Sequence, residues 1–196
     1  NTQSSITKKS GPNRTVIKSE PPPLIPRFSE DPTDAEIFES HIFSEPLVPV
    51  GGTTSAEENK ALAEALLAFQ GNSDNDAVFV KFLDAFPQSP WRASLLMNLG
   101  SVYRQTGFFF KALKSWEGAW NLAKDEAGTR AHAVADTALG ELAELNARVG
   151  RYDYLTALFK EIDGRSLTGP ATEKVARARE GLWLMNNEPG KAFLCG

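Results

Sequence analysis

The chain has 196 residues, 41% of them apolar, and a formal net charge of −4 with both signs interspersed. That length and composition suit one packed domain with a tail, and no basic block points to nucleic acid. No apolar run approaches the ~18 residues needed to cross a bilayer.

Residues 1–54 hold eight of the twelve prolines, including the run Glu20-Pro21-Pro22-Pro23-Leu24-Ile25-Pro26. Such a stretch buries too little apolar surface to offset its ordering entropy, so it reads as an extended, partly disordered arm. The proline run is taken as a spacer rather than a polyproline II ligand. Asn13-Arg14-Thr15 has the form of a glycosylation acceptor, a triplet common by chance. Within the arm, residues 32–43 predict a short helix, with Thr33 as N-cap and Glu36 completing a capping box. Ile37, Phe38, Ile42 and Phe43 would then dock on the helical body.

From residue 55 a helical period takes over. Ser55 and Glu58 form a second capping box, Leu62, Leu66 and Phe69 make one stripe, and Gly71 ends that helix. Asp74 is expected to cap the next helix, whose stripe is Val78, Phe79, Phe82, Leu83 and Phe86. Pro87 and Pro90 interrupt it. Helices at about 91–105 and 109–123 follow, joined at Gly107, and a further pair spans 128–148 and 152–163 around Gly150. A last pair begins near Ala171 and turns at 186–190. No strand is predicted, so the fold class is all-α. Short antiparallel helix pairs recurring along a chain suggest a solenoid. The expected units are 55–90, 91–126, 128–165 and an unfinished 171–196.

The segment 93–123 carries small residues inside both of its helices. Leu96, Leu99, Gly100, Tyr103, Gly107, Ala112, Trp116 and Ala119 resemble the tetratricopeptide repeat family, position by position and without a gap. The resemblance implies a right-handed solenoid in which Gly100 and Ala112 sit where helices approach closely. The other units match less well. The spacing from Gly71 to Gly107 is near the ~34 of a standard repeat, and that from Gly107 to Gly150 is longer. Asn146 and Leu155 stand where the family has Tyr and Ala, so that pair is expected to splay. The run Phe86–Trp91 is similar to junctions in bacterial envelope scaffold proteins, which makes an exported or envelope location the expectation.

Little chemistry is legible. Residues 164–169 have phosphate-loop spacing, but Pro170 and Ala171 replace the required Lys and Ser/Thr. There is no Gly-x-Ser-x-Gly elbow and no His-Glu-x-x-His helix. A single Cys195 with His41 and His132 makes neither an intrachain disulfide nor a usual zinc set. No cofactor or metal is expected. Glu141, Glu144, Glu161 and Asp163 read as solvated, and His132 as a surface or cap residue. Cys195 reads first as a small buried residue of the last helix. In the alternative, the run ending in Cys195 resembles the opening of C39-type cysteine peptidases, which would make the chain a support domain for such an enzyme with Cys195 as its nucleophile.

The remaining surface is the concave face that the family resemblance implies. Its matching positions are Ser94, Met97, Asn98, Ser101, Arg104 and Gln105, then Thr137, Gly140, Glu141, Glu144 and Arg148. Ala61 and Ala65 stand where chaperone-binding members need Lys and Asn, so a carboxylate clamp is rejected. The expectation is a non-enzymatic interaction or scaffold module within a larger bacterial protein. A peptide, a neighbouring domain or the chain's own arm would occupy the groove. A spacer without any ligand is the structural alternative. An unfinished last unit is expected to expose an apolar edge through which two copies could pair.

Overall fold

The structure is a computed structural model that describes residues 26–188. Among the described residues there are eight helices and no strand. They are α1 (Asp34–Phe38), α2 (Ala56–Gly71), α3 (Ala77–Ala85), α4 (Arg92–Gln105), α5 (Phe109–Ala123), α6 (Thr129–Arg148), α7 (Tyr152–Glu161) and α8 (Pro170–Asn187). No described helix is long and apolar enough to cross a membrane.

Both capping boxes form. Thr33 closes α1 with Glu36, and Ser55 closes α2 with Glu58. Glu36 also accepts the Ser29 N–H at 2.8 Å and the Thr33 N–H at 2.7 Å. These two backbone donors, Thr33 first, hold its carboxyl at about 2, below the ordinary 4.5. The stabilisation they give is present above the ordinary value and is lost as pH falls from about 4.5 through about 2. A carboxyl NMR titration should therefore place the Glu36 midpoint near 2, whereas a midpoint near 4.5 would mean an open cap.

The start of α3 differs from expectation. Its N-cap is Asp76, which makes no side-chain cap bond, while the Asp74 N–H donates to Asn72 Oδ1 at 3.2 Å. The Asn72 side chain organises a turn there and delays the helix. Asp76 instead accepts the Tyr103 hydroxyl at 2.8 Å and the Lys111 ammonium at 3.3 Å, tying the α2–α3 turn to the end of α4. Burial raises the Asp76 carboxyl, but the Tyr103 hydrogen bond and Lys111 outweigh it and leave it below its usual range.

Close approaches fix the register. A Cβ built on Gly100 of α4 would lie 2.3 Å from Trp116 Nε1, and one on Gly118 of α5 would lie 3.2 Å from Leu96 Cδ1. The two helices are thus antiparallel and touch through glycine. Gly107 joins them with φ +83°, and Gly150 joins α6 to α7 with φ +72°. These left-handed values carry little cost for glycine. Tyr154 meets Glu117 and Lys124 meets Glu161, so α7 runs parallel to α5. A Cβ on Gly140 would lie 3.0 Å from Ala171 Cα and one on Gly181 3.5 Å from Ala147 Cβ, so α8 runs parallel to α6. Helices α4, α6 and α8 therefore point one way, and α5 and α7 the other.

The core centres on Trp91 and Trp116, both fully buried, with Leu62, Leu66, Leu95, Leu99, Leu139, Leu142 and Leu155. Ala112 and Ala119 are likewise fully buried. Helix α7 packs on α6 less extensively than α5 packs on α4.

The segment expected to be a partly disordered arm is, from residue 26 onward, part of this core. Ile37, Leu47, Val48 and Val50 are buried, and Ile42 and Phe43 pack against them. The Phe43 ring sits 5.6 Å from Phe69 and 5.4 Å from Phe79, centre to centre, between α2 and α3. Phe38 is partly exposed, with the Arg130 guanidinium 5.5 Å from its ring. The proline run at 21–25, Asn13, and the C-terminal residues Ala192, Phe193 and Cys195 lie outside the described residues.

Candidate functional site

Helix α4 turns its polar stripe toward residues 43–50, which form neither helix nor strand. Ser94 and Asn98 are four apart and so share one face. The Ser94 hydroxyl accepts the Val48 N–H at 3.0 Å and donates to the Val48 carbonyl at 2.7 Å. Asn98 Oδ1 accepts the Glu45 N–H at 3.2 Å, while its Nδ2 donates to the Ser94 carbonyl at 3.0 Å. The Val50 N–H donates to the Pro90 carbonyl at 2.8 Å. Pro46 and Pro49 have no N–H that would need a partner. Two short polar side chains thus hold a passing backbone, while Leu47 and Val48 turn inward.

A cavity of about 270 Å³ lies beside this strap. Pro46, Val48 and Met97 line it on one side, and Ala133, Val134 and Thr137 of α6 on another, with Phe38, Glu45 and Arg130 completing it. A second hollow of about 300 Å³ is lined by Phe43, Asn98, Ser101, Gln105 and neighbours.

Farther along the same helices, charges pair across three of them. Arg104 Nη1 lies 2.5 Å from Glu141 Oε2 and 3.0 Å from Glu144 Oε2. Lys174 also pairs with Glu141, and Arg177 reaches Glu144 at 3.7 Å. The chain of ion pairs crosses from α4 over α6 to α8. Glu141 and Glu144 are only 14% and 23% exposed at their side chains, which corrects the reading of a solvated face. Periodicity could not reveal this, because the partners Lys174 and Arg177 come from a distant helix.

The expected groove residues therefore fall into four groups. Met97 and Asn98 are buried beneath the chain's own residues 45–48, and each only borders a hollow, Met97 the first and Asn98 the second. Ser101 and Gln105 border the second hollow, and Arg104, Glu141 and Glu144 form the ion-pair row. Arg148 is exposed at the end of α6.

A further polar centre has no counterpart among the expected residues. The Asp136 side chain is 2% exposed and pairs with Arg165, whose Nε and Nη2 donate to Oδ1 at 3.1 and 3.0 Å. Its other oxygen accepts the Thr168 N–H at 3.0 Å and the Thr168 hydroxyl at 2.9 Å. Arg165 also donates to the Lys124 carbonyl at 3.0 Å and lies 4.9 Å from the Trp120 ring. Every acceptor site is engaged within the protein, so this centre fastens the α7–α8 loop. The loop is the same 164–169 segment whose glycine spacing imitates a phosphate cradle. Among the described residues no group of His, Cys, Asp or Glu could hold a metal ion.

Comparison with protein-family models, with curated proteins and with solved structures found no match in any of the three.

Proposed function

We propose that the protein is a non-enzymatic helical-repeat module of the tetratricopeptide type, a right-handed solenoid that presents a peptide-holding face on α4, α6 and α8. One observation carries the reading: Ser94 and Asn98 grip a non-helical backbone on that face. A face that holds residues 43–50 by backbone hydrogen bonds and apolar side chains has the chemistry needed to hold a partner segment alongside them. The cavity of about 270 Å³ takes one apolar side chain of the partner, and the neighbouring charged row supplies polar contacts. Gly100 of α4 lies against Trp116 of α5 and Ala112 is fully buried, a use of small residues at a helix crossing that supports this reading.

The test is a peptide-display selection against the whole chain, followed by Ala133→Arg. Ala133 is exposed and borders the cavity, so arginine there fills the site while the core stays intact. Selected peptides should bind the variant at least about tenfold more weakly, a loss of ~1.4 kcal/mol, with an unchanged melting temperature. Binding that ignores Ala133→Arg, or a selection that yields no peptide, refutes the assignment.

A further inference from the structure

Large apolar side chains scattered singly over a surface need no explanation, but a cluster of them does. Ten are exposed among the described residues, and six of these, Phe108, Phe109, Phe110, Val149, Tyr152 and Trp183, gather at one edge. The helix directions define that edge. It holds the ends of α4, α6 and α8 and the starts of α5 and α7, and Tyr152 reaches Asn186 of α8 at 3.3 Å. The three consecutive phenylalanines form its most prominent point, with Phe108 57% and Phe110 74% exposed. The Lys111 ammonium stands 5.3 Å from the Phe108 ring and the Lys114 ammonium 5.7 Å from the Phe110 ring. Arg148 and Arg151 flank Val149 in the next turn. The opposing acids are Asp153 beside Tyr152 and Glu188 after α8, and Asp74 and Asp76 in the α2–α3 turn bound the patch on its far side. Asp76 is engaged by Tyr103 and Lys111.

We propose that this edge docks on a phospholipid surface. Phe108, Phe109 and Phe110 enter the interface, and Lys111 and Lys114 meet anionic headgroups. Phe109 and Phe110 are successive residues of the first turn of α5 and point about 100° apart, and Phe108 precedes the helix with non-helical backbone, so the three rings do not share one direction. A single protein pocket would not receive them together, whereas a fluid interface accommodates all three. The cations stand beside the rings, where the headgroups of an interface penetrated by aromatic side chains would lie. Val149, Tyr152 and Trp183 give a second point of contact on the same edge, which sets the orientation of the molecule on the surface.

Vesicle flotation of the whole chain tests this with phosphatidylcholine alone and with phosphatidylcholine–phosphatidylserine mixtures. The protein should float with both and more strongly with the anionic mixture. The Phe108→Ser, Phe110→Ser double variant should bind about a hundredfold more weakly, since each inserted ring contributes on the order of a tenfold factor. Because both rings are exposed, its melting temperature should be unchanged. Phe110→Ser alone, the more exposed of the two, serves if the double variant misfolds. Lys111→Gln with Lys114→Gln should reduce the preference for the anionic mixture, with Arg148 and Arg151 supplying what remains. Absence of flotation with either vesicle overturns the proposal, as does a serine variant that floats like the parent. Capture of a protein partner by the same tripeptide without vesicle binding would also overturn it.

Discussion

Gly100→Ala is expected to destabilise the protein by about 3 kcal/mol or more, at the upper end of what a single added methyl costs in a packed core. The new Cβ would fall 2.3 Å from Trp116 Nε1 and 2.4 Å from Trp116 Cδ1. Trp116 cannot yield easily. It is fully buried, and its indole N–H donates to the Met97 carbonyl at 3.1 Å. Displacing it breaks that bond inside the core and leaves the buried indole N–H without a partner. Thermal unfolding should show a fall in melting temperature of roughly 6–12 °C for a chain of this size. Adding Trp116→Phe to the alanine variant should recover part of the loss, because the smaller ring vacates the space the methyl needs. A variant that melts like the parent would mean that α4 and α5 do not cross at Gly100.

Asp136→Ala should cost about 3–5 kcal/mol, the penalty for removing one partner of a buried ion pair. The substitution removes four hydrogen bonds, two from Arg165 and two from Thr168. It leaves the Arg165 guanidinium, whose side chain is 16% exposed, against Trp120 without its carboxylate. Two measurements check this: thermal melting, and hydrogen exchange over residues 163–169. Asp136→Ala should speed exchange at the Thr168 amide far more than at amides of α4. Uniform exchange across the chain would show that the carboxylate does not fasten this loop in particular.

The helices themselves were legible because their determinants are local. Ser55 with Glu58 and Thr33 with Glu36 announce two helix starts, Gly107 and Gly150 announce two turns, and the Leu62, Leu66 and Phe69 stripe faces the core as its period requires. What escaped depends on distant partners. Leu47, Val48 and Val50 lie in a proline-rich stretch whose composition suggests an arm, yet they are buried because Ser94 and Asn98, some fifty residues away, satisfy the backbone between them. Asp136 sits in a helix with nothing nearby to mark it, since Arg165 and Thr168 arrive after another helix has intervened. Of the candidate site, only the shared face of Ser94 and Asn98 follows from their spacing; that residues 45–48 lie over that face depends on partners some fifty residues away.

That covering segment also dictates an order of events during synthesis. Glu45 and Val48 leave the ribosome well before Asn98 and Ser94, the residues that bind them, separated by 53 and 46 positions. Until α4 emerges, the backbone N–H groups of Glu45 and Val48 lack the side chains that receive them. The segment 45–48 therefore cannot take its final place until a helix made some fifty residues later is complete.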